Sequence, residues 1–316
     1  MSRFEPEGQR VSRYKFLATN MRVLRVILVG LMLGLAPAFA WAAEAPEAAA
    51  PAHEEHGLPQ QALRLGGGGG SFITNSMVVT WIVAAGLILF AQIATRNMKL
   101  VPEGAQNFWE WMVESLDGFL EGIIGRALVK KTFWFFATVF IFILFTSWVG
   151  LIPGFGTIYR KTDGVWEPLL RGASADLNMT LAMALVFFVC WTVWALQAHG
   201  PMGFLLHLFA PKGETTGALK VLMIGVFFAV GLLEIVSILF RPVSLSFRLY
   251  GNIFAGENIM EVMSHRFPGM GWLLPIPFYF MELLVGFVQA LVFMLLTAVF
   301  TMLICEEEEG HAKAHH

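Results

Sequence analysis

The sequence predicts an all-α, polytopic transmembrane protein with an interfacial amphipathic helix and a long, tilted, membrane-embedded helical hairpin. Three observations carry this: the apolar content, segments of one bilayer thickness, and two segments far longer than one. Of the 316 residues 57% are hydrophobic and only 14% charged, whereas a soluble domain runs at roughly 45–50% and 25%. Twenty-nine Phe, ten Trp and sixteen Met, with a mean hydropathy of +0.66, exceed what a water-soluble fold of this length buries. The net charge of -2 offers no basic surface, so nucleic acid is not an expected partner. Cys190 and Cys305 both lie in apolar runs, which excludes a disulfide framework and a cysteine metal site. Neither G-x-S-x-G nor H-E-x-x-H occurs, so no catalytic nucleophile, metal or cofactor is expected.

Residues 1–43 read as an N-terminal extension and a cleaved signal peptide. Arg22 and Arg25 precede an apolar stretch from Val26 to Leu35, and small residues follow in Ala-x-Ala spacing at Ala38, Ala40 and Ala42. As a transmembrane helix this run would be about half the roughly 20 residues a crossing requires. The polar residues before Met21 are unusual for such a signal and fit a translation start at Met21. Residues 44–71, rich in Ala, Pro, Glu and Gly and ending in Gly66 to Gly70, read as a flexible exported segment. His53 and His56 lack the spacing of a zinc-protease helix and read as solvated charge.

The transmembrane domain is expected over residues 72–305. Ser76 to Thr95 is apolar for one bilayer thickness and closes on Arg96 and Lys99, so this first span runs from outside to inside. Residues 102–124 set Phe108, Trp111, Met112, Leu116, Phe119 and Ile123 against Glu110, Glu114, Asp117 and Glu121, a pattern that lies in the interface. Arg126, Lys130 and Lys131 keep it on the inner side, and residues 132–152 return outward. The loop after Pro153 and Gly154 carries Arg160, Lys161 and Arg171, against the usual bias of an external loop. The third span covers Leu177 to Leu196, followed by an amphipathic loop with His199, His207, Lys212 and Lys220.

Two long segments remain. Leu219 to Ser264 as helix would extend about 69 Å, more than twice the roughly 30 Å hydrocarbon layer. It must tilt steeply or break near Pro242. Trp272 to Cys305 would extend about 51 Å and faces the same constraint. Residues 306–316, with Glu306 to Glu309, His311, His315 and His316, read as a solvated acidic and histidine-bearing inner tail.

The first long segment is apolar but interrupted by Glu234, Arg241, Arg248, Asn252 and Glu257, charges too costly to keep in lipid without a reason. At 100° per residue, Glu234, Arg241 and Asn252 fall within about 40° of Arg248, and Glu257 lies about 180° away. Glu261 extends the second stripe by one turn. In the last segment Glu282 and Gln289 lie about 20° apart on one face, turned in this reading toward the Glu257 stripe as a hydrated path. The plainer alternative for each is a hydrogen bond to a neighbouring helix. For Glu234 and Arg241 it is mutual neutralisation two turns apart, or snorkelling. Arg248 is the sharpest case, because a guanidinium stays charged where a lysine would deprotonate. A fixed cation at mid-membrane can drive a passing acid to release its ion, and can block a leak between two half-paths.

RPVSLSFRLYGNIFAGE (Arg241 to Glu257), with Glu282 and LVGFVQALVFMLLTAVF (Leu284 to Phe300), closely resembles subunit a of the F-type ATP synthase. SMVVTWIV (Ser76 to Val83), the Leu151 to Gly154 turn and SADLNMTLAMAL (Ser174 to Leu185) match in the same order, so the resemblance covers roughly residues 72–309. It implies that Arg248 is the arginine facing the rotating c-ring and separating two half-channels. It implies that Asn252, Glu257, Glu282 and Gln289 belong to proton access from outside, that Glu234 belongs to the inner exit, and that Asp176 is a polar residue on the outer side of the third span. Family members differ over which of the Glu257 and Glu282 positions is a carboxylate; here both are. The function implied is a non-catalytic stator subunit conducting protons or sodium ions, with the c-ring, subunit b and membrane lipid as partners. The location implied is a bacterial inner membrane, with the mature N-terminus periplasmic and the C-terminus cytoplasmic. The alternative is a secondary ion-coupled transporter, which would be expected to show internal repeats or paired broken helices; the sequence shows no such symmetry.

Overall fold

The computed structural model describes residues 74–96, 98–99, 101–152, 159–162, 165–168, 172–209, 218–266 and 273–314. The expected signal peptide, residues 1–43, and the Gly-rich segment expected to be exported, residues 44–71, lie outside the described residues. Six helices carry the described fold: α1 (Asn75–Ala94), α2 (Ala105–Ile124), α3 (Arg126–Gly150), α4 (Leu177–Phe209), α5 (Ala218–Arg266) and α6 (Pro275–Ala314). Among the described residues, five helices are long and apolar enough to cross a membrane; α2 is not one of them. The chain is a polytopic helical membrane protein.

α3 is the packing centre. Phe135 to Leu144 is buried on every side of the helix, as expected for a helix apolar all round that has protein neighbours rather than lipid. α6 packs along α3, α5 packs against α4 and α6, and α1 is attached through α3 and α2. Tyr279 donates its hydroxyl to the Leu151 carbonyl, and Trp148 Nε1 donates to the Leu283 carbonyl at 3.1 Å, so the end of α3 is tied to the start of α6.

α2 is amphipathic as expected, but its buried face is rotated from the expected one. Trp109, Met112, Val113, Leu116, Leu120 and Ile124 are buried, whereas Phe108, Trp111 and Phe119 are exposed. The sequence pattern separates apolar from acidic residues, but a membrane offers two apolar neighbours, protein and lipid. Phe108, Trp111 and Phe119 can therefore point outward at no hydrophobic cost. Gly125 alone ends α2 and starts α3, at φ 75° and ψ 154°, a region essentially confined to glycine. That one residue turns the chain from the interfacial helix into the spanning one.

Of the two alternatives for the first long segment, a steep tilt or a break near Pro242, the break does not occur. α5 is one helix of 49 residues with Pro242 inside it, about 73 Å long. Its apolar part, Gly225–Ser264, has 40 residues and that of α6, Pro275–Cys305, has 31, or about 60 and 46 Å against a hydrocarbon layer of roughly 30 Å. Both helices must lie strongly tilted, as the length arithmetic demands. Pro242 removes one helical donor and is buried; membrane helices tolerate this where neighbours compensate.

Three further differences concern the connections. The third span ends where expected, its apolar part running Leu177–Ala198, but a second helical stretch follows to Phe209 across a kink at Gly200, whose φ of 69° and ψ of 165° admit glycine alone. The stretch expected as a loop with His207 is helical. The loop after α3 contains an antiparallel hairpin of β1 (Tyr159–Thr162) and β2 (Val165–Pro168), with Arg160 opposite Glu167 and Lys161 opposite Trp166. A short 3-10 turn, Ala173–Ala175, leads into α4. Finally, α6 runs on through the acidic residues expected as a tail, to Ala314.

Replacing Gly125 with Ala should destabilise the detergent-solubilised protein by about 1–3 kcal/mol through backbone strain. Gly118→Ala is the control, because Gly118 is helical with open space around it. Thermal unfolding of both variants checks this, and equal stability would contradict the assigned role of Gly125.

Candidate functional site

The polar residues inside the helical bundle fall into three groups along α5. Arg248 lies between the other two, about 14 Å of helix rise from Glu257 and about 21 Å from Glu234.

The first group lies toward the end of the bundle where α1, α4 and α6 begin. Asp176 is buried and its carboxylate has two jobs. Oδ1 accepts from the Asn178 amide at 2.9 Å and Oδ2 accepts from Ser76 Oγ at 2.5 Å. The first bond caps α4, where an anion is favoured by the free amides and the helix dipole. The second ties α4 to the start of α1. Ser76 Oγ also shares a hydrogen bond of 2.9 Å with Thr74 Oγ1, the residue that caps α1. Close by in sequence, Ser174 Oγ is buried without a hydrogen-bond partner among the described residues, as is Ser147 Oγ on α3.

Glu257 and Glu282 are seated by glycines. A Cβ on Gly172 would collide with Glu257 Oε1, and one on Gly150 would meet the same oxygen at 3.9 Å and the Gly172 backbone at 3.1 Å. Glu257 thus points at the junction between the end of α3 and the turn before α4. A Cβ on Gly256 would fall onto all three carboxyl atoms of Glu282. Glu282 is 3% exposed, and its Oε1 has no hydrogen-bond partner among the described residues.

The middle group corrects one expectation. The Glu282 and Gln289 face of α6 is turned to Asn252 and Gly256 of α5, one helical position round from Glu257. Asn252 Nδ2 donates to Gln289 Oε1 at 2.9 Å, one turn from Arg248. The reason is local: Gly256 leaves room for the Glu282 carboxyl group, and Asn252 offers its amide to the buried Gln289. Arg248 itself is exposed on the outer face of α5, and it makes no ion pair or hydrogen bond with any described residue. Ser244, Gly251, Ala255, Ile259 and Val262 are exposed on the same stripe, all within about 60° of Arg248.

The third group is Glu234 and Arg241. Arg241 Nη2 donates to Glu234 Oε1 at 3.0 Å, the neutralising pair two turns apart weighed from the sequence. All seven residues singled out from the sequence are therefore in or beside the α4, α5 and α6 bundle, but in separate clusters. Sequence reasoning missed Gly150, Gly172 and Gly256, as well as Ser147 and Ser174. A glycine inside an apolar helix next to a glutamate was the available signal for Gly256. Nothing in the sequence pairs Gly172 with Glu257, which are 85 residues apart.

Fold and site together define a multi-pass helical membrane protein whose overlong hairpin carries buried carboxyl groups on one side and an unpaired guanidinium on the other. The comparison with known proteins makes this specific. Residues 77–302 match the family model described as ATP synthase A chain. The chain is 35% identical over 233 residues to ATP synthase subunit a of Trichlorobacter lovleyi, spanning 74% of this chain and 88% of that one. It is 33% identical over 233 residues to the subunit a of Geobacter sulfurreducens, with the same coverage, and 31% identical over 237 residues to that of Gloeobacter violaceus, spanning 75% and 86%. The chain belongs to the ATP synthase A chain family.

Gly256→Ala should destabilise the protein by about 1–3 kcal/mol through overpacking against Glu282. The double variant Gly256→Ala with Glu282→Ala should recover most of that loss. Thermal unfolding of the two single variants and the double closes the cycle; simply additive losses would contradict the seat described for Glu282.

Proposed function

We propose that this chain is the stator subunit a of a rotary ATP synthase, conducting protons through two offset half-channels against a rotating c-ring. Family membership supports this over the secondary transporter. The single observation that carries the mechanism is Arg248: a permanent cation at mid-membrane depth, exposed, with no described partner in its own chain. A lipid-facing guanidinium is costly, so its counter-charge must come from another chain. Ser244, Gly251 and Ala255 beside it are small, and Gly251 has open space where a Cβ would be; small residues let a second helix approach closely. The partner that fits is a helix carrying one membrane carboxyl group, repeated around a ring.

Each proton enters from the periplasmic side through the cluster of Asp176, Glu257 and Glu282, with the Ser147 and Ser174 hydroxyls as hydrogen-bonding stations. Asn252 and Gln289 close this path one turn from Arg248. As a ring carboxyl group meets Arg248, attraction to the guanidinium favours its ionised form and the proton leaves. Release to the cytoplasmic side passes Glu234. Arg248 stands between the two paths as an electrostatic barrier to a direct leak. The chain itself makes no covalent bond and is not catalytic; nucleotide chemistry belongs to the rest of the complex.

Orientation follows from charge. Arg96, Lys99, Arg126, Lys130 and Lys131 gather at the end of the bundle where α1 ends and α3 begins, which the positive-inside bias makes cytoplasmic. Five crossings then place the start of α1 in the periplasm and the end of α6 in the cytoplasm of a bacterial inner membrane. The signal peptide supplies the export of the preceding segment. Subunit b helices pack on the lipid-facing spans away from the ring.

In vesicles carrying the whole complex, Arg248→Ala should abolish coupled ATP synthesis and open a passive proton leak. Arg248→Lys should not restore coupling, because the ammonium deprotonates when desolvated and lacks the planar fork. Synthesis and proton flux are measured with c-ring assembly checked separately. An assembled Ala variant that couples normally would overturn the proposal.

A further inference from the structure

Arg241 is held in a way that the conduction path as described does not use. Its guanidinium carbon lies 4.4 Å from the centroid of the Phe300 ring on α6 and 5.6 Å from that of Trp191 on α4. Trp191 is 3% exposed, and its Nε1 donates to the Phe300 backbone carbonyl at 3.2 Å, so the Trp191 ring is tied to α6 at the residue whose ring also faces the guanidinium. Phe188 stacks on Trp191 at 6.3 Å and stiffens the α4 wall. A guanidinium over aromatic faces in a partly desolvated site gains more from each ring than it would in water. Three helices thus converge on one cation.

The cation is not spent on the rings. Its Nη2 makes a single contact of 3.0 Å to Glu234 Oε1, and the side chains are 20% and 49% exposed respectively. Neither α4 nor α6 brings a described charged side chain to this point: the α4 contribution is Trp191 and the α6 contribution is Phe300. Within α5 the pair is Glu234 and Arg241 alone, with Arg248 two turns further along. A carboxylate on a long, tilted and largely uncovered helix would otherwise sample many rotamers. Here one oxygen is fixed by a cation that is itself fixed, and the second oxygen remains available as an acceptor.

We propose that Arg241, clamped between Phe300 and Trp191, is a positioning residue that holds Glu234 as the fixed proton acceptor at the cytoplasmic exit. This rests on the exit role assigned to Glu234 above. Arg241 does not carry the proton; it sets where the accepting oxygen stands and keeps a counter-charge beside it. The aromatic clamp explains why Arg stands here rather than a smaller polar residue: the planar group can face both rings and still donate in its own plane.

The test uses inner-membrane vesicles with the complete ATP synthase, the amount of assembled complex measured for each variant, and ATP synthesis per complex as the readout. Glu234→Gln and Arg241→Gln should each slow synthesis about tenfold, the scale of one lost charge-assisted hydrogen bond. The double variant should be no slower than Glu234→Gln alone, because Arg241 acts through Glu234. Arg241→Lys should recover only part of the rate, because the ammonium keeps a charge beside Glu234 but lacks the planar group that faces both rings. Phe300→Leu, which removes a ring but no charge, should slow the otherwise unaltered complex and add nothing to Glu234→Gln. A double variant about a hundredfold slow would show Arg241 to be a helix tie independent of Glu234 and overturn the proposal. Normal rates in Arg241→Gln or Phe300→Leu with a slow Glu234→Gln would overturn it while leaving the exit assignment standing. A normal rate in Glu234→Gln would remove the exit assignment and the proposal together.

Discussion

A bilayer interior supplies no water to solvate a charge, and this constraint organises the molecule. Every ionised or strongly polar group at membrane depth must find its partner in the protein, in a wet cavity or in another chain. Glu234 and Arg241 pair with each other, Asn252 donates to Gln289, whose Nε2 stays buried without a hydrogen-bond partner among the described residues, and Asp176 is satisfied by Ser76 and by the first turn of its own helix. Arg248 is left as the exposed cation without a described partner. The arrangement of the other polar groups is what isolates it: each carboxylate that could have reached along α5 is turned elsewhere or held. The tilt of α5 and α6 follows from the same layer, because apolar stretches of 40 and 31 residues stay within a hydrocarbon thickness of roughly 30 Å only when tilted.

The glycines give the second layer of the account. A carboxyl group buried in a helical bundle needs space as well as partners, and here that space is a missing Cβ. Gly256 makes it for Glu282, and Gly172 with Gly150 makes it for Glu257. The two acids are thereby placed from two directions, one from α6 across to α5 and one from α5 across to the α3 to α4 connection. Their surroundings are unequal. Glu282 is enclosed, whereas Glu257 is half-buried beside Gly172, in the turn that leads into α4.

Much of this was legible in the sequence, because membrane helices write their length and charge plainly. The spans at α1, α3 and α4 follow from apolar runs of one bilayer thickness, and the overlong hairpin follows from arithmetic on residues 219–264 and 272–305. Arg248 stood out because nothing on its own helix neutralised it. What could not be read was facing. Periodicity says which residues share a side of a helix, not which neighbour that side meets, so Gln289 was aimed at Glu257 when it meets Asn252. The same ambiguity rotated α2, since lipid and protein both accept an apolar face. Pro242 left a break open beside a steep tilt, and the helix is continuous through it, because neighbouring helices can compensate a missing donor. The Arg241 clamp depends on residues 50 and 59 positions away, Trp191 and Phe300, and no local pattern announces it.

The central claim is that the exposed Arg248 stripe is the face on which the c-ring turns. Cysteine cross-linking measures this most directly. In a background with Cys190 and Cys305 replaced, single cysteines at Ser244, Gly251 and Ala255 are paired with cysteines beside the membrane carboxyl group of subunit c, and disulfides are scored in the intact membrane complex. The account predicts cross-links from all three positions and none from Ile253, which is buried within the chain. Absence of cross-links along the Arg248 stripe, in complexes shown to be assembled, would contradict it.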